Sequence, residues 1–145
     1  MPARFYEQDV KSGLKQKRQL SVFIDSVVAT YRSEVKTASI TYIFCTDEHL
    51  LGINQQFLQH DTLTDIITFD LSESDNQLTG EIYISTERVK ENAARFGVPY
   101  PEELHRVIFH GVLHLCGFKD KKAADIKLMR QKEYECLEAY SKQRY

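Results

Sequence analysis

The sequence predicts an α+β domain, α/β-like in its order, with about four mixed strands covered by helices. Three observations carry that prediction. Apolar residues change period along the chain, from the helical stripe of Leu20, Phe23, Ile24, Val27 and Val28 to the alternation of Ile40, Tyr42 and Phe44. Strand-like and helix-like segments are interleaved rather than segregated. The 145 residues, 42% hydrophobic and 28% charged, suit one core, with no repeat, low-complexity tract or interior linker to divide a single domain over 1–145.

Each element has its own signal. Residues 3–8 read as a short strand and 15–32 as an amphipathic helix. Residues 38–45 alternate with both faces fairly apolar, which predicts a central strand. Thr46 or Asp47 caps a helix to about Leu58. Residues 59–64 are a polar loop, Ile66–Phe69 a short β-branched strand, and 72–78 a surface loop or hairpin connection. Gly80–Ser85 is the next strand and runs into a helix capped by Ser85 or Thr86, ending near Gly97. Pro101 fits the first position of a helix from Glu102 to Cys116. A last helix covers about Lys122 to Ser141.

The most informative stretch is His-Gly-Val-Leu-His-Leu-Cys-Gly-Phe-Lys-Asp, residues 110–120. Four helical residues advance about 400°, so His110 and His114 stack on one face. Gly117 can end the helix at φ > 0, and Asp120 follows the turn. Two neutral imidazoles and a carboxylate suit a zinc ion, and three ligands leave a fourth position open. The offsets match H-E-x-x-H-x-x-G-x-x-H, with Asp120 at the third-ligand position. Gly111 stands where a zinc peptidase has its general base, so the cradle is kept and the base is not. The competing reading is two helical histidines that pack or face solvent.

Composition narrows the classes. No apolar run reaches 18 residues, and the N-terminus lacks the apolar segment of a signal peptide. Cys45, Cys116 and Cys136 are an odd number without a CxxC pair, which points to free thiols and the cytoplasm. Cys116 lies about 200° around the helix from His114 and reads as a buried core thiol rather than a ligand. The net charge of −2 does not announce a nucleic-acid binder. Lys11, Lys15, Lys17 and Arg18 nevertheless cluster, and residues 119–132 are rich in Lys and Arg. Such asymmetry permits a phosphate-attracting surface, and solvated helix faces fit it equally.

Residues 110–120 resemble the signature H-G-x-L-H-L-x-G-Y-D-H of the YbeY family, with Phe118 for Tyr, Lys119 for Asp and Asp120 for the third His. Leu51-Gly52-Ile53-Asn54 with Asp61 and Thr64–Phe69 resembles that family's L-N…D…T-D-V-L-S-F. Gly80–Ser85 resembles G-D-I-x-I-S. The three blocks stand in family order and cover roughly residues 35–140. The resemblance implies a metal-dependent, single-strand-specific endoribonuclease of rRNA maturation, at the 16S 3′ end. One Zn²⁺ would lie between helix and sheet on His110, His114 and Asp120. It further implies single-stranded RNA and the small ribosomal subunit as partners, with neither membrane nor DNA.

Two departures stand out. Asp120 adds a negative charge that makes a bound water less acidic than at a three-His site. Leu58 stands where many members carry an Arg, which would hold a phosphate bidentately. His60 is the nearest cationic candidate for catalysis, and Lys119 and Lys121 flank Asp120. The departures keep a second function open, a ribosome-associated, zinc-stabilised assembly factor with little nuclease activity. A zinc peptidase is the third, and requires Glu81 or Glu102 to approach the site in space.

Overall fold

The chain's structure, a computed structural model, describes residues 3–58 and 64–143. Its elements follow the order β1 (Ala3–Glu7), α1 (Lys17–Tyr31), β2 (Thr37–Cys45), α2 (Asp47–Leu58), β3 (Ile66–Asp70), β4 (Gln77–Ser85), α3 (Thr86–Phe96), α4 (Tyr100–Leu115) and α5 (Ala123–Gln143). The strands form one sheet in the order β1-β2-β4-β3. β1 and β4 pair parallel to β2, and β3 pairs antiparallel to β4. The expected four-stranded mixed sheet is present, with β2 inside it.

Alternation along the strands divides the sheet's two faces. Ile40, Tyr42 and Phe44 of β2 and Leu78, Ile82 and Ile84 of β4 are buried against a helical layer of α1, α4 and α5. Within that layer Phe23, Phe109 and Tyr140 join the three helices through ring contacts at 5.2–5.8 Å. The Tyr42 hydroxyl donates to the Ile108 carbonyl at 2.8 Å and ties β2 to α4. The other face is covered more thinly by α2, whose Leu50 packs with Cys45 and Ile67. Removing such side chains from water stabilises the fold by about 1.5–3 kcal/mol each.

Two glycines bring α4 unusually close to the sheet. A Cβ on Gly80 of β4 would lie 2.6 Å from Leu115 Cδ1, and one on Gly111 of α4 would lie 2.8 Å from Ile82 Cδ1. The helix can seat itself there because neither position carries a side chain.

Several boundaries move. β4 begins at Gln77 rather than Gly80, because Leu78 is fully buried and Gln77–Thr79 pair with Thr37–Ser39. α4 begins at Tyr100, with Pro99 extended at its N-cap, so Pro101 takes the second helical position. That position is still within the turn whose N–H groups have no helical acceptor. Among the described residues no helix is long and apolar enough to cross a membrane.

Candidate active site

The site is built on one polar stripe of α4. Glu103, Arg106, His110 and His114 follow one another at spacings of three, four and four, which keeps them on one side of the helix. The apolar residues Leu104, Val107, Ile108, Val112 and Leu115 hold the rest of α4 against its neighbours. Arg106, His110 and His114 of that stripe line a cavity of about 630 Å³ between α2, β3 and α4. His110, His114 and Asp120 all line it, as do Leu58 and Lys121. Lys119 does not. His60 and Asp61 lie outside the described residues.

The turn that delivers Asp120 forms as the motif predicts. Gly117 has φ 104°, and its N–H donates to the His114 carbonyl at 3.0 Å. The Phe118 N–H reaches back to the Leu113 carbonyl at 3.1 Å, which closes the last turn with a Schellman pattern. Phe118 packs edge-on against Tyr31 and anchors the chain beyond it.

Each imidazole is oriented by an oxygen that can only accept. His110 Nδ1 donates to Glu133 Oε2 at 2.6 Å, and His114 Nδ1 donates to the Phe118 carbonyl at 3.2 Å. Nδ1 therefore carries the proton in both rings, and Nε2 is the atom left for a ligand. His110 Nε2 stands 3.1 Å from Asp120 Oδ2. Two ligands about 2.0–2.1 Å from one tetrahedral ion sit roughly 3.3 Å apart, so this pair fits a shared ion. The donor types fit zinc as well. Among the described residues, however, no three such side chains are gathered into a complete metal-binding group. The predicted triad is thus brought to one cavity with His110 and Asp120 paired, while His114 is not closed onto them.

Behind the histidines lies a charged network that the motif does not contain. Glu133, on α5, is 1% exposed. Its Oε1 accepts from Arg106 Nη1 at 3.0 Å and from Arg130 Nη1 at 2.9 Å. Arg106 also donates through Nε and Nη2 to the two oxygens of Glu103, at 2.8 and 2.7 Å. Burial works to raise the Glu133 carboxyl, but the bond from His110 and the charge of Arg106 outweigh it and hold the carboxyl below its ordinary range. Burial likewise opposes the charge on Arg106, and its carboxylate partners more than offset it. Asp65, just before β3, faces the same cavity with Arg106 at 3.7 Å. Burial raises its carboxyl despite that attraction.

Glu133 escapes a motif search because it is remote in sequence, but α5 carries a sign of it. Met129, Glu133, Cys136 and Tyr140 are the buried positions of that helix, spaced four, three and four apart. A lone carboxylate in an apolar stripe requires buried partners. Cys116, predicted as a buried thiol, is half-buried; it packs against the core and does not line the cavity. Its position at the C-cap of α4 leaves one side open. Neither Glu81 nor Glu102 lines the cavity, so the base that a peptidase needs is not supplied from either.

Comparison with known proteins agrees with this arrangement. A family model described as Endoribonuclease YbeY matches residues 5–141. A Flavobacterium psychrophilum protein named Endoribonuclease YbeY is 55% identical over 124 residues, 85% of this chain and 88% of the relative. One of the same name from Bacteroides fragilis is 45% identical over 137 residues, 94% of this chain and 96% of its own. Among solved structures, a Thermotoga maritima protein determined in solution superposes with a TM-score of 0.62 at 26% identity, covering 97% of this chain and 90% of that one. The three sequence blocks, the family model and the near full-length match to named relatives converge on one assignment, and the chain belongs to the YbeY family.

Proposed function

We propose that this chain is a metal-dependent endoribonuclease that cuts single-stranded RNA, with one zinc ion held by His110, His114 and Asp120. The reading extends to rRNA maturation at the 16S 3′ end, to a cytoplasmic setting on the small ribosomal subunit, and to residues 1–145 acting as one catalytic domain. What supports it is the family, together with one observation. A single cleft gathers two imidazoles, each with Nδ1 against an accepting oxygen, and a carboxylate beside arginines.

In that cleft the chain's own groups have separate tasks. Glu133 holds the His110 ring and its Nδ1 proton, and the Phe118 carbonyl does the same for His114. Asp120 contributes a carboxylate from the turn fixed by Gly117. A bound zinc ion supplies Lewis-acid polarisation of a phosphoryl oxygen or acidifies water, either of which serves phosphodiester cleavage. Arg106 keeps the two buried carboxylates neutralised, so the histidines meet a balanced field.

The test is replacement of His114 or Asp120 by Ala. Metal content of the purified protein and cleavage of a labelled single-stranded RNA are expected to fall together, with a duplex of the same sequence left uncut by the wild type. Full cleavage by a metal-free variant overturns the reading. A wild type that carries metal yet leaves RNA intact overturns it in favour of the assembly-factor alternative.

A further inference from the structure

A strand of RNA in this cleft brings a phosphodiester, and Leu58 offers it no charge. Leu58 lines the cavity and is 44% exposed. The cations of the cavity are Arg106, Lys121 and Arg130 among the described residues. Arg106 has Nε, Nη1 and Nη2 all engaged by Glu103 and Glu133. Its side chain is 16% exposed, and diverting it would strip two buried carboxylates of their partner. Lys121 sits on the turn after α4 and presents a point charge without a fork.

Arg130 differs on every count. Its side chain is 55% exposed, and Nη1 alone is bonded, to Glu133 Oε1. That bond leaves Nη2 and Nε as a planar pair of donors. Glu133 is the same carboxylate that orients His110, so the guanidinium is fixed relative to the histidine by one buried group. Arg130, like Arg106, also borders a second cavity, of about 340 Å³, lined by Phe96, Val98, Glu102, Glu103 and Leu137.

We infer that Arg130 is the substrate-binding arginine of this chain, receiving an RNA phosphate from α5 across the cavity from the uncharged Leu58. The inference rests on the RNA-cleaving reading above. A fork of two N–H donors suits a phosphodiester's two free oxygens, and the buried Glu133 limits the conformations the side chain must give up on binding. Arg130 then sets the affinity for the strand, while His110, His114 and Asp120 serve the reacting phosphate.

The experiment follows binding of a labelled, unstructured RNA oligonucleotide to the zinc-loaded protein over a range of salt, read by stopped-flow anisotropy before cleavage. Arg130→Gln is expected to weaken binding roughly tenfold and to flatten the salt dependence by about 0.7 in logarithmic slope, the loss of one phosphate contact on a single strand. Arg130→Lys is expected to regain the slope but not the full affinity, because the fork is gone. Metal content and unfolding midpoint are expected to stay close to wild-type values in both, because Arg106 Nη1 still donates to Glu133 Oε1 at 3.0 Å when the exposed Arg130 bond is lost. Unchanged affinity and slope in Arg130→Gln overturn the inference and leave the nuclease reading standing, as does a fall in midpoint without a change in slope. A wild type that neither binds nor cuts the strand overturns both.

Discussion

Glu133 reaches His110 from the neighbouring helix, with Oε2 at 2.6 Å from Nδ1. The contact spans 23 residues of sequence and sets which ring nitrogen faces the cleft. Its other oxygen serves two arginines, so one buried carboxylate organises both sides of the site.

The first prediction follows from that geometry. Glu133→Gln keeps the shape but removes the charge that holds the His110 proton at Nδ1. Zinc affinity, measured by competition with a chromophoric chelator, is expected to fall about 10–100-fold. The variant is expected to fold, because Arg106 retains both oxygens of Glu103. Wild-type affinity in the Gln variant would show that His110 is oriented by something else.

Acid stability provides the second. Burial alone would raise the Asp47 carboxyl, but the bonds from Arg88 Nη2 at 2.9 Å and the Ser85 hydroxyl at 2.7 Å bring it below its ordinary range. A carboxyl depressed in the folded state stabilises the fold above its unfolded value, about 3.9, and loses that contribution as pH falls through the folded value. Asp47 is 23% exposed in its side chain, so its contribution at neutral pH is modest, about 1 kcal/mol. Urea titrations of wild type and Asp47→Asn are expected to differ by that amount at pH 7 and to converge at pH values well below 4. A difference that grows on acidification would contradict the assignment.

Two helical glycines give opposite outcomes for one substitution. A Cβ at Gly52 of α2 meets nothing within 4 Å, so Gly52→Ala is expected to stabilise by about 0.5–1 kcal/mol through helix propensity. At Gly111 the Cβ meets Ile82 at 2.8 Å and Ile66 at 3.2 Å. Overpacking costs about 1–3 kcal/mol there and exceeds the propensity gain, so Gly111→Ala is expected to lose stability, by roughly 1–2 kcal/mol net. Thermal unfolding of the pair reads both signs at once. Equal gains in both variants would mean that α4 does not press on the sheet.

Local pattern carried most of the fold. The alternation of Ile40, Tyr42 and Phe44, the cap at Ser85 and the stop at Gly117 are effects of neighbours in sequence, and each is found where its chemistry places it. Leu78 was harder to read, since Gln77 and Thr79 beside it look like loop until β2 supplies a partner strand. The candidate ligands were legible for the same local reason: a helix turn brings His110 to His114. Glu133, Arg106 and Arg130 were not, because their roles arise where α5 packs on α4, a contact that no short spacing encodes. Only the misplaced charge in the buried stripe of α5 hints at it.

The absent side chain at residue 111 also bears on what this helix can become. A two-histidine helix acquires peptide hydrolysis by gaining a glutamate at that one position. Here the required volume is already held by Ile82 and Ile66 of the sheet. The substitution that would change the chemistry is the one that would first push the helix off its seat. Reaching a protease from this scaffold therefore demands at least two coordinated changes, one to clear the sheet and one to add the base. The close contact that secures the cleft is at the same time a barrier to its conversion.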